Sequence, residues 1–321
     1  MKRIVLLLMT FALTYARADA APLAILTDVS GAVQVVRAGK VTAGKNGTQL
    51  QAKDRVRVAK GAATIYYATR APQSLKSGQQ VEVAASGATP RAPSVWRNVY
   101  AGLSQGFARR RDAVPATMRP GGVVALWPVN TKIAETKPQF AWALNGLSTQ
   151  SILDYWLTLK DARGAIVWEG AVNETVFDYP AALQPNTEYL WNVAPRQEGA
   201  LGEAEINPEW ATPFVSFRVA TPGESTAVRA QMAQLTQELK ISSPTLQRTA
   251  QATIWQQGGF RAAATAALLP ETTHEIIKQG QYFSTLDAAL ARRSETERLL
   301  LRTLWIDANQ GVLANKIVLT P

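Results

Sequence analysis

Leu183-Gln184-Pro185-Asn186-Thr187-Glu188-Tyr189-Leu190-Trp191-Asn192-Val193 decides how the middle of this chain folds. Pro185-Asn186 reads as a turn. A strand follows, with Tyr189, Trp191 and Val193 on its inward side at period two. A Tyr just inside a strand after such a turn suits the corner of an antiparallel sandwich, where its ring packs and its hydroxyl bonds back to the turn backbone. The stretch marks a central β-sandwich with a different module on either side. It names no ligand.

Outward from that corner, residues 121–222 carry further short strands. Leu126-Trp127-Pro128 begins the region, and Pro138-Gln-Phe140-Ala-Trp142 alternates as a buried strand. Asp154-Tyr-Trp156-Leu-Thr-Leu159 comes next, then the turn Asp161-Ala-Arg-Gly164 and the strand Ala165-Ile-Val-Trp168. Val176-Phe-Asp-Tyr179 leads into the corner, and Phe214-Val-Ser-Phe217-Arg-Val219 is the last strand. About seven short strands with turns between them are what an immunoglobulin-like sandwich needs. Through Leu183-x-Pro185-x-Thr187-x-Tyr189-x-Trp191-x-Val193 and Phe140-x-Trp142, the region resembles fibronectin type III and related bacterial Ig-like domains. That likeness implies a fold and says little about function. Six of the nine Trp lie here. Trp142, Trp156 and Trp191 are expected in the core. An exposed row of Trp would instead offer stacking faces for sugar rings.

Residues 21–88 read as short β-strands: Ala32–Arg37, Arg55-Val56-Arg57-Val58, Ala63–Tyr67 and Val81-Glu82-Val83, punctuated by Gly31, Gly39, Gly44, Gly47, Gly61 and Gly78. The spacing predicts an all-β roll or small sandwich. Val29-Ser-Gly31-Ala-Val33-Gln-Val35, Leu50…Asp54-Arg-Val56, Gly61-Ala-Ala-Thr-Ile65 and Ser77-Gly78…Val81-Glu-Val83 together resemble the FecR domain family. Lys53 stands where that family has a Gly before the Asp, and Ala68-Thr-Arg70 replaces its Asp-Gly turn. Both departures touch turns. Proteins named for the domain relay a signal from an outer-membrane receptor to a cytoplasmic sigma factor, using a cytoplasmic head and a membrane span placed before the domain. Neither is read in this sequence, so the resemblance implies a periplasmic interaction module and not a transmembrane relay.

Residues 89–120 read as a linker holding one amphipathic helix. Trp96, Val99, Tyr100, Leu103 and Phe107 share a face, and Arg109-Arg110-Arg111 close the segment, where positive charge suits a helix C-terminus. Such a helix could lie on an anionic membrane or pack between two β-domains.

Residues 223–321 are rich in Ala, Gln, Leu and Thr and read as a helical tail. Helices are expected at Ser225–Lys240 with Ser225 as cap, Pro244–Gln257, Phe260–Leu269, Glu271–Gln279, Ser284–Arg293 and Ser294–Asn309. The run Ala250…Trp255-Gln-Gln-Gly258-Gly-Phe260…Ala266 resembles a tetratricopeptide helical hairpin, and Gly280-Gln-Tyr282 repeats its turn about 22 residues later. A true repeat has a period of about 34 residues, so the match is degenerate. It implies either a peptide groove or a helical cap on the sandwich.

Composition limits the chemistry. There is no Cys and one His, which excludes disulfides, thiolate nucleophiles and multi-His metal sites. His274, flanked by Glu271 and Glu275, is expected to be a solvated residue. Glu203 and Glu205 read as an acidic loop, and Asp28 and Asp54 as turn formers. No phosphate loop or nucleophile elbow is found. No catalytic residue, no metal and no cofactor is expected.

The charge is uneven. Residues 21–120 hold 15 basic and 4 acidic residues, whereas residues 121–321 hold 16 basic and 19 acidic. The basic third either faces an anionic partner or docks on the acidic middle of its own chain. Lys2-Arg3, the apolar run Ile4–Ala12 and the small-x-small site Ala18-Asp19-Ala20 read as a signal peptide over 1–20.

The resulting expectation is a periplasmic multidomain chain, mainly β with an α-helical C-terminal region: a FecR-like β-roll, an Ig-like β-sandwich and helical hairpins. It would be a non-enzymatic cell-envelope protein acting through protein–protein interaction. Arg55, Arg57, Arg109, Arg110 and Arg111 are the candidate partner-binding residues. An envelope protein is the first partner considered, an anionic glycan such as peptidoglycan or a membrane surface the second. Nucleic acid is not expected.

Overall fold

A computed structural model describes residues 23–68, 70–84, 94–108, 122–147, 152–199, 202–238 and 244–317. It is a mixed fold of several sheets with a helical C-terminal part. The signal segment 1–20 and Arg109, Arg110 and Arg111 lie outside the described residues.

The first sheet is antiparallel. It contains β1 (Ala24–Arg37), β2 (Lys40–Ala43), β3 (Gln49–Leu50), β4 (Arg55–Tyr67), β5 (Gln73–Lys76) and β6 (Gln80–Glu82). The order is β2-β1-β4-β5, with β3 added to β1 and β6 to β4. The long strands β1 and β4 each change character midway. The register shifts between Thr27 and Ser30, and Gly31 lies opposite Gly61. Both glycines have positive φ, 74° and 93°. A Cβ on Gly61 would collide with the Ser30 carbonyl, and one on Gly31 with that of Lys60. The two backbones therefore cross here only because both residues lack a side chain.

Beyond the crossing, Val33, Val35, Val56 and Val58 face one apolar cluster while the alternate residues stay exposed. Before it, both faces are covered. Leu26 and Ile65 point into that same cluster, and Ile25 and Tyr66 point the opposite way into a helical core.

Residues 122–219 form two sheets. β7 (Gly122–Trp127), β9 (Gln139–Asn145) and β12 (Val176–Asp178) make a three-stranded sheet in the order β12-β9-β7. The larger sheet takes β8 (Thr131–Ile133), β10 (Asp154–Asp161), β11 (Ile166–Val172), β13 (Glu188–Glu198), β14 (Ala204–Ile206) and β15 (Val215–Val219). Its order is β11-β10-β13-β15-β8, with β14 beside β13. β8 runs parallel to β15.

The sheets share one aromatic core. Phe140 lies 5.0 Å from Trp191 and 5.7 Å from Phe217, and Trp142 lies 5.3 Å from Tyr155, ring centre to ring centre. At the corner, Asn186 has φ of 58°, and the Gln184 N–H donates to the Tyr189 hydroxyl at 3.0 Å. Trp156 is not in this core. In β10 the buried residues are Tyr155, Leu157 and Leu159, so Trp156 faces outward, with the Arg196 guanidinium 5.3 Å from its ring. Leu157 and Leu159 share the face of Tyr155 whereas Thr158 and Lys160 share that of Trp156, so the period-two pattern places Tyr155 inside.

The helices are α1 (Ser94–Ala108), α2 (Pro222–Glu238), α3 (Pro244–Gln257), α4 (Arg261–Leu268), α5 (His274–Lys278), α6 (Tyr282–Ala291), α7 (Glu295–Asp307) and α8 (Gly311–Ala314). α1 belongs to this helical core, with Val99 and Leu103 buried in it. At Gly102 a Cβ would strike Thr253, so the glycine sets how closely α1 and α3 approach.

α2 starts earlier than Ser225. Thr221 and Glu224 form its reciprocal N-terminal bonds: the Glu224 N–H donates to the Thr221 hydroxyl at 3.2 Å, and the Thr221 N–H to the Glu224 carboxylate at 2.9 Å. Pro222 occupies the first helical position, where its missing N–H costs nothing. Lys132 and Arg218 also bond Glu224. The Lys132 bond is the largest influence and holds the carboxyl down to about 2.

The helical core spans the molecule. It takes Ile25 and Tyr66 from the first sheet and Ala141, Ala143 and Val176 from the three-stranded sheet. α7 is fastened to the first sheet by polar contacts as well. Asn46 accepts from the Val29 N–H at 2.9 Å and donates to Glu295 at 2.6 Å, and the Asp28 N–H donates to the Thr296 hydroxyl at 3.3 Å.

Candidate functional site

Alternation in β4 puts Arg55 and Arg57 on the outward face, because Val56 and Val58 are needed inside. Cross-strand register supplies their neighbours. Arg57 lies between Gln34 of β1 and Gln80 of β6, and Arg55 between Val36 and Glu82. Arg55 pairs with Glu82 at 2.9 Å with both side chains largely exposed. Such a pair is worth about 0–1 kcal/mol. Arg57 makes no ion pair among the described residues.

Residues 23–84 hold nine basic and three acidic side chains; two of the acids are in ion pairs and the third is buried. Glu82 serves Arg55. Asp54 is 1% exposed. It accepts from the Gln51 N–H at 2.7 Å, as expected of a turn former, and also from Arg37 at 2.7 Å. Asp28 is largely buried against the start of α7, and burial raises its carboxyl above the ordinary value, followed by the opposing bond to Thr296. Lys40, Lys45, Lys53, Arg57, Lys60, Arg70 and Lys76 are exposed and make no ion pair with any described residue. Among the described residues, none of these cations is neutralised by the acidic middle of the chain. A field of one sign over a sheet face attracts anionic partners and weakens with salt.

An open groove of about 600 Å3 runs along β1 and β2 on this unit, lined in part by Val29, Gln34, Val41, Ala43, Lys45 and Glu295. β2 is an edge strand, exposed at all four residues. The structure thus brings Arg55 and Arg57 together on β4, with β1 between them and the free edge of β2. Arg37, which sequence pattern alone would class with them, is tied into the fold.

The other candidates separate. Trp142 and Trp191 are fully buried. Trp168 stacks on Phe177 at 4.7 Å, and Trp127 packs against the helical core. The described Trp residues therefore form no continuous row. Glu203 and Glu205 are exposed at the β13–β14 hairpin. His274 is half-buried where α5 meets the three-stranded sheet. Burial lowers its pKa below the ordinary value, with Asp178 and Glu275 opposing and Lys278 assisting. Helix packing around residue 274, which sequence spacing does not reveal, produces that environment. Among the described residues, no group of three or more acidic or His side chains is placed to hold a metal ion, and no helix is long and apolar enough to cross a membrane.

No protein-family model matches the chain, and no curated protein does. A solved structure named pT26-6p aligns with 61% of this chain at 11% identity and a TM-score of 0.19. The aligned chain spans 50% of the length of that structure. Similarity at this level carries no argument about fold or function.

Proposed function

We infer that this chain is an exported, non-enzymatic interaction protein of the cell envelope, with a FecR-like first β-domain that docks an anionic face of an envelope protein onto Arg55, Arg57 and the neighbouring lysines. The observation carrying this reading is the imbalance on the first sheet. Of the three carboxylates in residues 23–84, Asp54 and Glu82 are held in ion pairs and Asp28 is buried, while seven cations stand exposed without an ion pair around a sheet that has an open edge strand. A free edge and a field of one sign together suit a partner that adds main-chain contacts and brings negative charge. The shared aromatic core and the Tyr189 corner support an Ig-like reading of residues 121–222. The two helical hairpins at Gly258-Gly259 and Gly280 support a degenerate tetratricopeptide-like reading of the tail. Residues 1–20 are assigned as the signal peptide that carries the chain to the periplasm.

The test is crosslinking in intact cells, followed by affinity capture and mass spectrometry. One envelope protein should be recovered at near-stoichiometric yield, and the double variant Arg55→Glu/Arg57→Glu should lose it. Recovery of the chain alone, together with pelleting on cell-wall sacculi that is abolished by about 0.5 M salt, would replace the protein partner with an anionic glycan. Recovery unaffected by the double variant would overturn the assignment of the site.

A further inference from the structure

A cavity of about 140 Å3 lies where the helical part meets β7. Leu126, Trp127, Ala266 and Leu313 give it apolar walls. No carboxylate lines it, and several hydrogen-bond donors do.

Trp305 of α7 lines the cavity and is 1% exposed, and its indole N–H is buried with no acceptor among the described residues. A buried donor left unpaired is costly and calls for an explanation such as a missing ligand. Tyr282, at the start of α6, is 6% exposed, and its hydroxyl bonds to no described residue. Burial holds that hydroxyl well above its ordinary pKa, so it stays protonated and able to donate. Arg261, at the start of α4, bonds the Asn130 carbonyl through Nη1, and its other N–H groups have no partner among the described residues. Residues from three separate helices that carry donors without a described acceptor thus line one small, mainly apolar space; the Trp305 N–H is the one sealed from solvent, and Arg261 carries a permanent positive charge.

A cavity of about 150 Å3 accommodates a single six-membered ring. A pure hydrocarbon would fill this space but leave the donors unsatisfied, and an inorganic anion would leave the apolar walls unfilled. We propose that this cavity binds a small organic monocarboxylate, one ring or a short branched chain in size, with its carboxylate accepting from Arg261, Trp305 and Tyr282. Its apolar body rests on Leu126, Ala266 and Leu313.

A neighbouring open groove of about 510 Å3 shares Val129 and Gln310 with the cavity. Gln310 stands at that shared wall and donates to the Ala125 carbonyl at 3.0 Å. The bound acid would touch β7, α4, α6 and α7 at once, so occupancy would tighten the helical part onto the three-stranded sheet. The site is remote in sequence from Arg55 and Arg57 and does not depend on the interaction reading.

Benzoate is the probe and benzyl alcohol its neutral counterpart, titrated into the purified chain and followed by Trp fluorescence and thermal midpoint. Benzoate should saturate below about 10 mM and bind at least about tenfold more tightly than benzyl alcohol, a difference in the range of a charge-assisted hydrogen bond. Tyr282→Phe should weaken benzoate about tenfold while leaving the unliganded midpoint in place, since the hydroxyl has no internal partner to lose. Ala266→Leu should fill the space and abolish binding, and if that variant fails to fold, Tyr282→Phe decides. Absence of saturation, equal affinity for the alcohol, or a Tyr282→Phe variant that binds benzoate normally would each overturn the proposal.

Discussion

Strands β1 and β4 are paired along most of their length, yet their two halves live in different surroundings. Between Ala24 and Thr27, and opposite them between Thr64 and Tyr67, Leu26 and Ile65 fill the sheet's own core while Ile25 and Tyr66 enter the helical core. Past the Gly31–Gly61 crossing, Val33, Val35, Val56 and Val58 remain inside, but Gln34, Arg55 and Arg57 face outward. The alternation is the same in both halves. What differs is whether a remote segment covers the second face. α1 and α7 cover the first half, and among the described residues no element covers the second. A covered face becomes part of the fold's stability, whereas an open basic face is available for recognition.

The largest break in this contrast should come from the cover itself. Leu103 of α1 is fully buried in the helical core. Leu103→Ala should cost about 2–5 kcal/mol in urea unfolding, from lost burial and the cavity left behind. A change below about 0.5 kcal/mol would show that α1 is not the covering element it is taken to be.

The crossing comes next. Gly61→Ala adds a Cβ against the Ser30 carbonyl at a φ of 93° and should destabilise by about 2 kcal/mol or more. Gly78→Ala, at a similar φ but with open space around the new Cβ, should cost less. Equal costs would reduce the crossing to an ordinary pair of turns.

A smaller effect, of opposite sign, is expected at Asp28 on the covered half. Its folded pKa is raised by burial, so the folded state disfavours the ionised form. That group's contribution to stability is fully present below the unfolded value of 3.8 and is lost as pH rises through the folded value. Asp28→Asn should therefore stabilise the chain at pH 7, by about 1 kcal/mol or less. It should also change the slope of thermal midpoint against pH on the acid side. Asn tolerates the φ of 49° there as well as Asp does. Destabilisation at pH 7 would mean that the ionised carboxylate holds the sheet to α7.

The smallest stability effect should be on the open half. Arg57→Glu should shift unfolding by no more than about 0.5 kcal/mol, since the side chain is exposed and unpaired. Its readout is binding. A variant that folds normally and still captures its partner would remove Arg57 from the interaction surface.

Particular residues show what could be read beforehand. Pro185-Asn186 and the alternation after it placed the corner, and the Gln184–Tyr189 bond lies within six residues, so local pattern was enough. Ser294 and Glu297 form a reciprocal cap three residues apart, again a local event. Thr221-Pro222-Gly223-Glu224 carried an equivalent signal, a Thr with a Glu three residues on and a Pro between, and the later Ser225 obscured it. Trp156 was misplaced although the pattern was legible: Thr158 and Lys160 share its face, and Leu157 and Leu159 put Tyr155 inside. The half-burial of His274 was not legible because its local neighbours are polar, while its partial cover is supplied by tertiary packing.

The sequence by itself determined periodicity, turns, caps and charge, because these depend on residues within a few positions of one another. From them came the outward placement of Arg55 and Arg57, the aromatic corner and the run of tail helices. Only the tertiary structure decided which faces were covered, which arginine was consumed by a buried carboxylate, and which unpaired donors met at one cavity. Arg37 and Asp54 are 17 residues apart. Trp305 and Leu126, which help line the same cavity, are 179 residues apart (305 − 126). Coverage and convergence are set by how distant elements pack, and the energy of that packing is shared across the whole core and is not written in any one stretch.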